Sequence, residues 1–419
     1  MKLDEIDLGT LDLWDGPIDQ RNAAFARLRE ERPIAFFEEP EPESDVIARG
    51  PGFWSVTRHR DVVEASRHAD LFCSGQGTSI LDMPPFLSEF LGSMINMDDP
   101  RHARLRRIVS KAFTPRTLAG LSGDVEAQAA EIVDAVAAQG ECDFVTEVAA
   151  LLPLRVIVDL MGIPRSQERE IFDCTNRLLG FLDPEYVPEQ TAEAVMMAIM
   201  QAAQDLAAIV TELAKHRSQN PGNDLITVLL DAEVDDDKLT HEELASFFIL
   251  LVVAGNETTR NAIAHGLDAF TQHPDQLVRW QADFEGLAPT AVEEIVRWSS
   301  PVQHFRRTVT RDGVRLGDHE FNEGDKVVLW YGSANRDAAV FDDPDGFDIG
   351  RTPNDHVGFG GPGPHFCLGA HLARREITVV YRELFRRLPD IHAVGPPDRL
   401  RSNFINGIKH LPVAFTPTA

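Results

Sequence analysis

Cysteine is scarce in this chain of 419 residues: Cys73, Cys142, Cys174 and Cys367 are the only four, and they are widely spaced. That spacing offers no disulfide framework and no C-x-x-C pair of the kind structural zinc sites use, and it suits a reducing cytoplasm. Long apolar runs are missing as well. The longest, residues 247–254, is too short to cross a bilayer, and the N-terminus from Met1 to Asp7 is acidic and lacks the apolar core of a secretion signal. No membrane anchor is expected. Positive charge is in deficit, with 40 Lys and Arg against 67 Asp and Glu, and the net charge of −27 argues against nucleic acid and anionic membrane as partners. Internal repeats and low-complexity linkers are absent too, and residues 38–44 form a short acidic loop. What is left is 43% hydrophobic and 26% charged, enough for a large buried core in one domain or two intimately packed ones.

The most informative stretch leads to Cys367. Residues 357–366 contain four glycines and two prolines, so the backbone there is neither regular helix nor strand and is expected to lie close to something flat and large. Beyond it, Leu368, Ala370, Leu372, Ala373, Ile377, Val380, Tyr381 and Leu384 recur at helical spacing, with Arg374, Arg375, Arg382, Arg386 and Arg387 between them. The cysteine thus stands where a tight loop enters a helix, and free N–H groups at that helix start would hold a thiolate ready for a metal. A buried structural cysteine is the alternative, but it has no need of the glycines. No second cysteine completes a zinc site, whereas a lone thiolate suits a haem iron, whose porphyrin supplies the other four ligands.

This segment resembles the haem-binding loop of the cytochrome P-450 superfamily, Phe-Gly-x-Gly-x-His-x-Cys-x-Gly. Gly361, Gly363, His365, Cys367 and Gly369 fall in register. Phe359 comes one residue early, because the run 360–364 is longer by one than the commonest spelling.

Other segments join it. In residues 97–113, Pro100 fits a helix start, and His102 and Arg106, four apart, share a face that could grip one anionic group or could simply be solvated. A long helix opens at the capping box of Thr240 and Glu243 and runs towards Pro274, roughly 45–50 Å at 1.5 Å per residue. Its middle reads Ala254, Gly255, Asn256, Glu257, Thr258, Thr259. The small Ala254 and Gly255 would admit a flat ligand and a diatomic molecule, and Glu257 and Thr258 offer a carboxylate and a hydroxyl for moving protons; a kink with a self-bonded threonine is the plainer alternative. Further on, a capped helix opening at Pro289 carries Glu294 and Arg297 at pairing distance, and residues 305–313 read as a strand ending in an Asp-Gly turn.

The resemblance covers nearly the whole chain. It implies a mainly α fold with a small β-rich portion, the cytochrome P-450 fold, as a single domain over residues 1–419. It implies haem b (iron protoporphyrin IX) ligated by Cys367, with cofactor contacts from His102, Arg106, Ala254, Gly255, Arg307, Phe359, Gly360, Gly361, His365 and Gly369. Thr258 and Glu257 become the oxygen-activation pair, and Glu294, Arg297 and Arg351 a structural triad. Residues 78–91 and 176–186 would form lids over a pocket bordered by Val253, Val302 and Phe305. The implied reaction is insertion of one oxygen atom of O2 into an unactivated C–H bond of a hydrophobic small molecule in the cytoplasm. Electrons would come from a ferredoxin and its ferredoxin reductase, docked on the arginines of the Arg104 helix and of the helix after Cys367. The segments 246–261 and 288–298 read much like the methyl-branched lipid ω-hydroxylases of actinobacteria, which attack fatty acids, isoprenoids and sterol side chains. A terpenoid or polyketide tailoring hydroxylase is the alternative, and a peroxygenase or a non-catalytic haem sensor would have less use for Glu257 and Thr258.

Overall fold

The computed structural model describes residues 2–39, 50–113, 125–234 and 237–418, so most of the acidic run at 38–44 lies outside the described residues. The framework is helical: α1 (Ile18–Glu31), α2 (His59–Arg67), α3 (Pro85–Gly92), α4 (Arg101–Ala112), α5 (Val125–Ala137), α6 (Leu151–Met161), α7 (Glu168–Leu179), α8 (Ala192–Gln219), α9 (His241–Gln272), α10 (Phe284–Ser299) and α11 (Ala370–Arg387), with shorter turns between. The strands used below are β1 (Ile34–Phe37), β2 (Phe53–Val56), β3 (Phe72–Cys73), β4 (Glu141–Asp143), β5 (His304–Val309), β6 (Lys326–Trp330), β7 (Ile408–His410) and β8 (Pro412–Ala414). One five-stranded sheet runs in the order β1-β2-β6-β5-β3, with β2 and β6 parallel and the other neighbours antiparallel. This is the mainly α architecture with a small β-rich portion that the sequence leads one to expect.

The long helix α9 forms as its sequence dictates. Thr240 Oγ1 accepts from the Glu243 N–H at 3.1 Å and Glu243 Oε2 accepts from the Thr240 N–H at 2.9 Å, so two orphan donors at the helix start are satisfied reciprocally. Pro274 stops it, having no N–H to offer. Two apolar clusters share α9: Ala262, Ile263, Leu267 and Phe270 pack with α5, α10 and α11, whereas Phe247, Phe248, Ile249 and Val252 pack with α6, α7 and α8. Among the described residues one helix, α8, is long and apolar enough to cross a membrane by length and composition, and it packs against α7 and α9.

Pro289 is not the start of its helix. α10 begins at Phe284, where Asp283 Oδ1 accepts from the Gly286 N–H at 3.1 Å, and Pro289 falls in the second turn. The N–H it lacks would have faced the carbonyl of exposed Glu285, which solvent can satisfy.

A fully buried carboxylate organises the segment that precedes the cysteine loop. Glu294 accepts from Arg297 Nε at 2.7 Å and Nη2 at 2.8 Å, from the Asp348 N–H at 2.9 Å, from Arg351 Nε at 3.1 Å and from Asn354 Nδ2 at 3.2 Å. Arg297 in turn donates to the carbonyls of Asn335, Pro344 and Gly346 at 2.8–2.9 Å. The triad expected from the sequence is therefore assembled, and it ties α10 to residues 335–354. Glu294→Ala strands the buried Arg297 guanidinium and takes a partner from Arg351, so urea unfolding should show a loss of about 3–5 kcal/mol relative to the unsubstituted protein.

The loop after α7 is held by charge. Asp183 Oδ2 accepts from the Arg401 N–H at 3.0 Å, and Lys409 Nζ lies 3.3 Å from Asp183 and 2.9 Å from Glu185. The two nitrogens of His410 reach Asp143 at 2.6 Å and Glu185 at 3.0 Å. Burial pulls the His410 pKa down, but the hydrogen bonds to the two carboxylates outweigh it and raise the group above its ordinary 6.5. A raised folded-state pKa gives stability that is full below the unfolded value and is lost as pH climbs through the folded one. The gap in melting temperature between the unsubstituted protein and His410→Ala should be widest below pH 6.5 and should narrow as pH rises above it.

Candidate active site

The loop before α11 solves the problem of its extra residue with glycine. Gly360 has φ +89 and donates to the Val357 carbonyl at 2.9 Å, and the Cys367 N–H then donates to the Phe359 carbonyl at 2.9 Å. Phe359 is thereby returned to a place beside Cys367, with the Arg374 guanidinium 4.4 Å above its ring. The flat neighbour expected for the other glycines is a helix. A Cβ on Gly361 would lie 2.5 Å from Ser66 Oγ, and one on Gly363, at φ +155, would lie 2.2 Å from the Ser66 carbonyl oxygen, so both let α2 approach. Gly369 differs, since a Cβ there would meet nothing within 4 Å.

Cys367 is set deep beside α4 and α11 and is nonetheless solvent-reachable. Burial pushes its thiol up; the N–H groups of Gly369 and Ala370 and the positive charges of Arg106 and Arg374 oppose that shift without reversing it. The helix-start dipoles and the two arginines thus favour the ionised sulfur, as expected, against the cost of burial.

Basic side chains gather above the loop. The rings of His102 and His365 lie 4.3 Å apart, and Arg106 Nη2 donates to the Phe366 carbonyl at 2.6 Å. Burial depresses His365, and Arg307, His102 and Arg106 press it further in the same direction, so its imidazole stays neutral. Alternation along β5 puts Arg307 on the face opposite Arg306, and it shares a hydrogen bond with the buried Tyr331 phenol. His102 Nδ1 has Asp99 at 3.3 Å, but its Nε2 is buried without a partner. The sequence-predicted residues His102, Arg106, Arg307 and His365 are thus brought together.

On α9, Ala254 is exposed although the helix around it is largely buried. The half-buried Thr258 donates its hydroxyl to the Ala254 carbonyl at 2.6 Å, the self-bonded arrangement open to any mid-helix threonine. Gly255 serves packing, because a Cβ there would lie 2.4 Å from Ile157 Cδ1 of α6. Glu257 turns to the α7 side and pairs with Arg260, so acid and hydroxyl, adjacent in sequence, face different ways. Val302 bridges to Ile405, and the Phe305 ring lies 5.5 Å from that of Phe404. Val253 instead belongs to the cluster that includes Leu250 and Leu368. Phe404 and Ile405 escaped sequence reasoning because two apolar residues between Asn403 and Asn406 carry no periodic signal.

The arginines expected to face a redox partner are engaged at home. Arg374 pairs with Glu293, Arg375 with Glu126, Arg382 with Glu285, Arg386 with Glu383, Arg387 with Asp134 and Arg104 with Glu243. They balance local acids, which lowers the charge they can present outward.

These residues fit a flat, dianionic porphyrin. Unpartnered His102 Nε2 and two arginines suit carboxylates, the open side of Gly369 and exposed Ala254 leave room for a plane, and Cys367 offers a soft ligand. Loss of one charge-assisted hydrogen bond costs about 1.5–3 kcal/mol. His102→Leu should therefore release haem to an apomyoglobin acceptor roughly 10–100 times faster, with the fold intact by circular dichroism.

A family model for cytochrome P450 matches residues 86–285 and 286–409. The methyl-branched lipid omega-hydroxylase of Mycobacterium tuberculosis strain H37Rv is 50% identical over 98% of this chain and 95% of its own length. A steroid C26-monooxygenase of Mycolicibacterium smegmatis is 39% identical over 97% of this chain and 92% of its own. Among solved structures, a Mycobacterium marinum cytochrome P450 in complex with pseudoionone superposes with a TM-score of 0.91 at 40% identity, covering 99% of each chain. With the cysteine loop, the buried triad and the basic cluster all assembled on this framework, the chain belongs to the cytochrome P450 family.

Proposed function

We propose that the chain is a cytoplasmic haem-thiolate monooxygenase that hydroxylates a terminal methyl group of a branched lipid, a fatty acid, isoprenoid or sterol side chain, with electrons from a ferredoxin and its reductase. The observation that carries this reading is the convergence of a solvent-reachable Cys367 at a helix start with the His102, Arg106, Arg307 and His365 cluster. Haem b, when bound, supplies the activation of O2 and the oxygen transfer to carbon. Overall, substrate RH, O2, two electrons and two protons give ROH and water.

The chain's own residues have four tasks. Cys367 presents its sulfur to the iron, with the Gly369 and Ala370 N–H groups and Arg106 and Arg374 favouring its ionised form. His102, Arg106, Arg307 and His365 bind the propionates. Ala254 leaves room beside Thr258, whose hydroxyl can exchange the Ala254 carbonyl for another acceptor and pass on a proton. Glu257 is the acid that resupplies it. Val302, Phe305, Phe404 and Ile405, with Val253 on α9, wall the substrate and exclude water; such walls suit an aliphatic chain and offer it no ion pair. The lipid assignment leans on the 50% identical relative, named for omega-hydroxylation of methyl-branched lipids, and on the 39% identical relative, named as a steroid C26-monooxygenase. With most of the nearby arginines already paired, docking of a reductant has to rely on shape as well as charge.

The test is an optical titration of haem-loaded protein with a methyl-branched fatty acid, an isoprenoid alcohol and cholestenone, followed by reduction under CO. A low-to-high-spin shift with one of these lipids, and a CO band at the thiolate position that disappears in Cys367→Ala, is the expected outcome. A thiolate–CO band with no spin shift for any lipid would remove the substrate assignment, and no thiolate–CO band in intact haem-loaded protein would remove the role of Cys367.

A further inference from the structure

Between α7 and α9 lies a cluster of polar side chains more thoroughly buried than any ordinary helix contact requires. Thr175, Asn176, Asn256, Glu257 and Arg260 are each no more than 5% exposed. Arg260 Nη2 pairs with Glu257 Oε2, and Arg260 Nη1 donates to Asn176 Oδ1 at 2.9 Å. Asn256 Nδ2 donates to Thr175 Oγ1 at 3.3 Å, and the Arg260 guanidinium lies 5.6 Å from the centre of the Phe172 ring. Three atoms of this cluster have no protein partner: Glu257 Oε1, Arg260 Nε and Asn256 Oδ1. Each such group costs about 1–3 kcal/mol if nothing satisfies it, and their grouping on adjacent side chains is the setting in which internal water is held.

The cluster also leads outward. Half-buried Tyr186 packs against Gly180, and its phenol is in electrostatic reach of Arg260 and Glu257. Tyr186 belongs to the loop that Asp183 and Glu185 tie to Lys409 and His410. Inward, Glu257 precedes Thr258 in sequence, but its carboxylate faces α7 and not the Thr258 hydroxyl.

We propose that Arg260, braced by Asn176, is a positioning residue for proton delivery: it anchors the Glu257 carboxylate on the α7 side of α9, within the buried polar cluster that Tyr186 adjoins. This rests on the role given above to Glu257 as the acid behind Thr258. The anchor sets both where Glu257 waits and how readily it takes up a proton. Burial raises the Glu257 carboxyl and the Arg260 charge opposes that rise. The titratable groups facing it are Arg260 on its own helix and Tyr186 from the loop, with Asp183 and Glu185 beyond, while α7 presents the neutral Thr175 and Asn176.

The experiment reads Glu257 directly. In substrate-free, haem-loaded protein, the infrared band of the protonated Glu257 carboxyl, identified by its loss in Glu257→Gln, is followed against pH. Arg260→Gln should move its disappearance up by about 1–3 pH units, Arg260→Lys should restore most of the original value, and Asn176→Ala should shift it less but in the same sense. In turnover, Arg260→Gln should lower product formed per electron pair roughly tenfold and enlarge the solvent deuterium isotope effect. Asn176→Ala decides the matter if Arg260→Gln does not fold. An unmoved band in Asn176→Ala and in any folded Arg260→Gln, with Glu257→Gln impaired in turnover, would overturn this inference alone. Unimpaired turnover of Glu257→Gln would overturn the role of Glu257 and this inference with it.

Discussion

The carboxylate of Glu294 is the point on which the site hangs. It is wholly buried, yet five hydrogen bonds converge on it from α10 and from residues 348–354, and its partner Arg297 gathers three carbonyls of residues 335–346. A buried charge is tolerated only when every lone pair is met, so the segment leading to the cysteine loop has little freedom to move. Asn335 extends the constraint, because its Oδ1 accepts from the Val357 N–H at 2.7 Å at the loop's first residue. Electrostatic necessity at one end of α10 thereby becomes positional accuracy at Cys367.

Much of this could be read from the amino-acid order, and the legible parts share a cause. α9 announced itself through the capping box of Thr240 and Glu243 and through Pro274, because helix ends have few chemical solutions. The junction at Cys367 was visible for a similar reason: glycine and proline mark where regular structure stops, and apolar periodicity marks where it starts again. His102 and Arg106 could be placed on one face by their spacing, the family resemblance pointed to Arg307 and His365 on a strand and a loop, and the structure brings the four together.

What was hidden depends on which neighbour each residue meets. Gly361 and Gly363 make room for Ser66, and Gly255 makes room for Ile157, although the order of residues only says that something comes near. Glu257 and Thr258 are neighbours in sequence, but successive residues of a helix point about 100° apart, so the carboxylate meets Arg260 while the hydroxyl meets the Ala254 carbonyl. Pro289 looked like a helix start because proline favours that place, and the cap at Asp283 had the stronger claim. The arginines after Cys367 looked like a free basic face until α5 and α10 brought acids to meet them.

Two of the residues that bracket the proposed lipid, Phe404 and Ile405, are attached to a different part of the chain from those that would hold the haem, although Phe305 shares β5 with Arg307. Phe404 and Ile405 occupy a turn between short terminal strands, and Val302 and Phe305 stand at the end of β5, whereas the Glu294 node and the cysteine loop belong to α10, α11 and the segment between. A change of side chain in the turn alters the shape offered to a substrate without touching a buried charge. Descendants of such a scaffold can exchange one hydrocarbon for another by drift in a few apolar positions, while the oxidative apparatus is inherited intact.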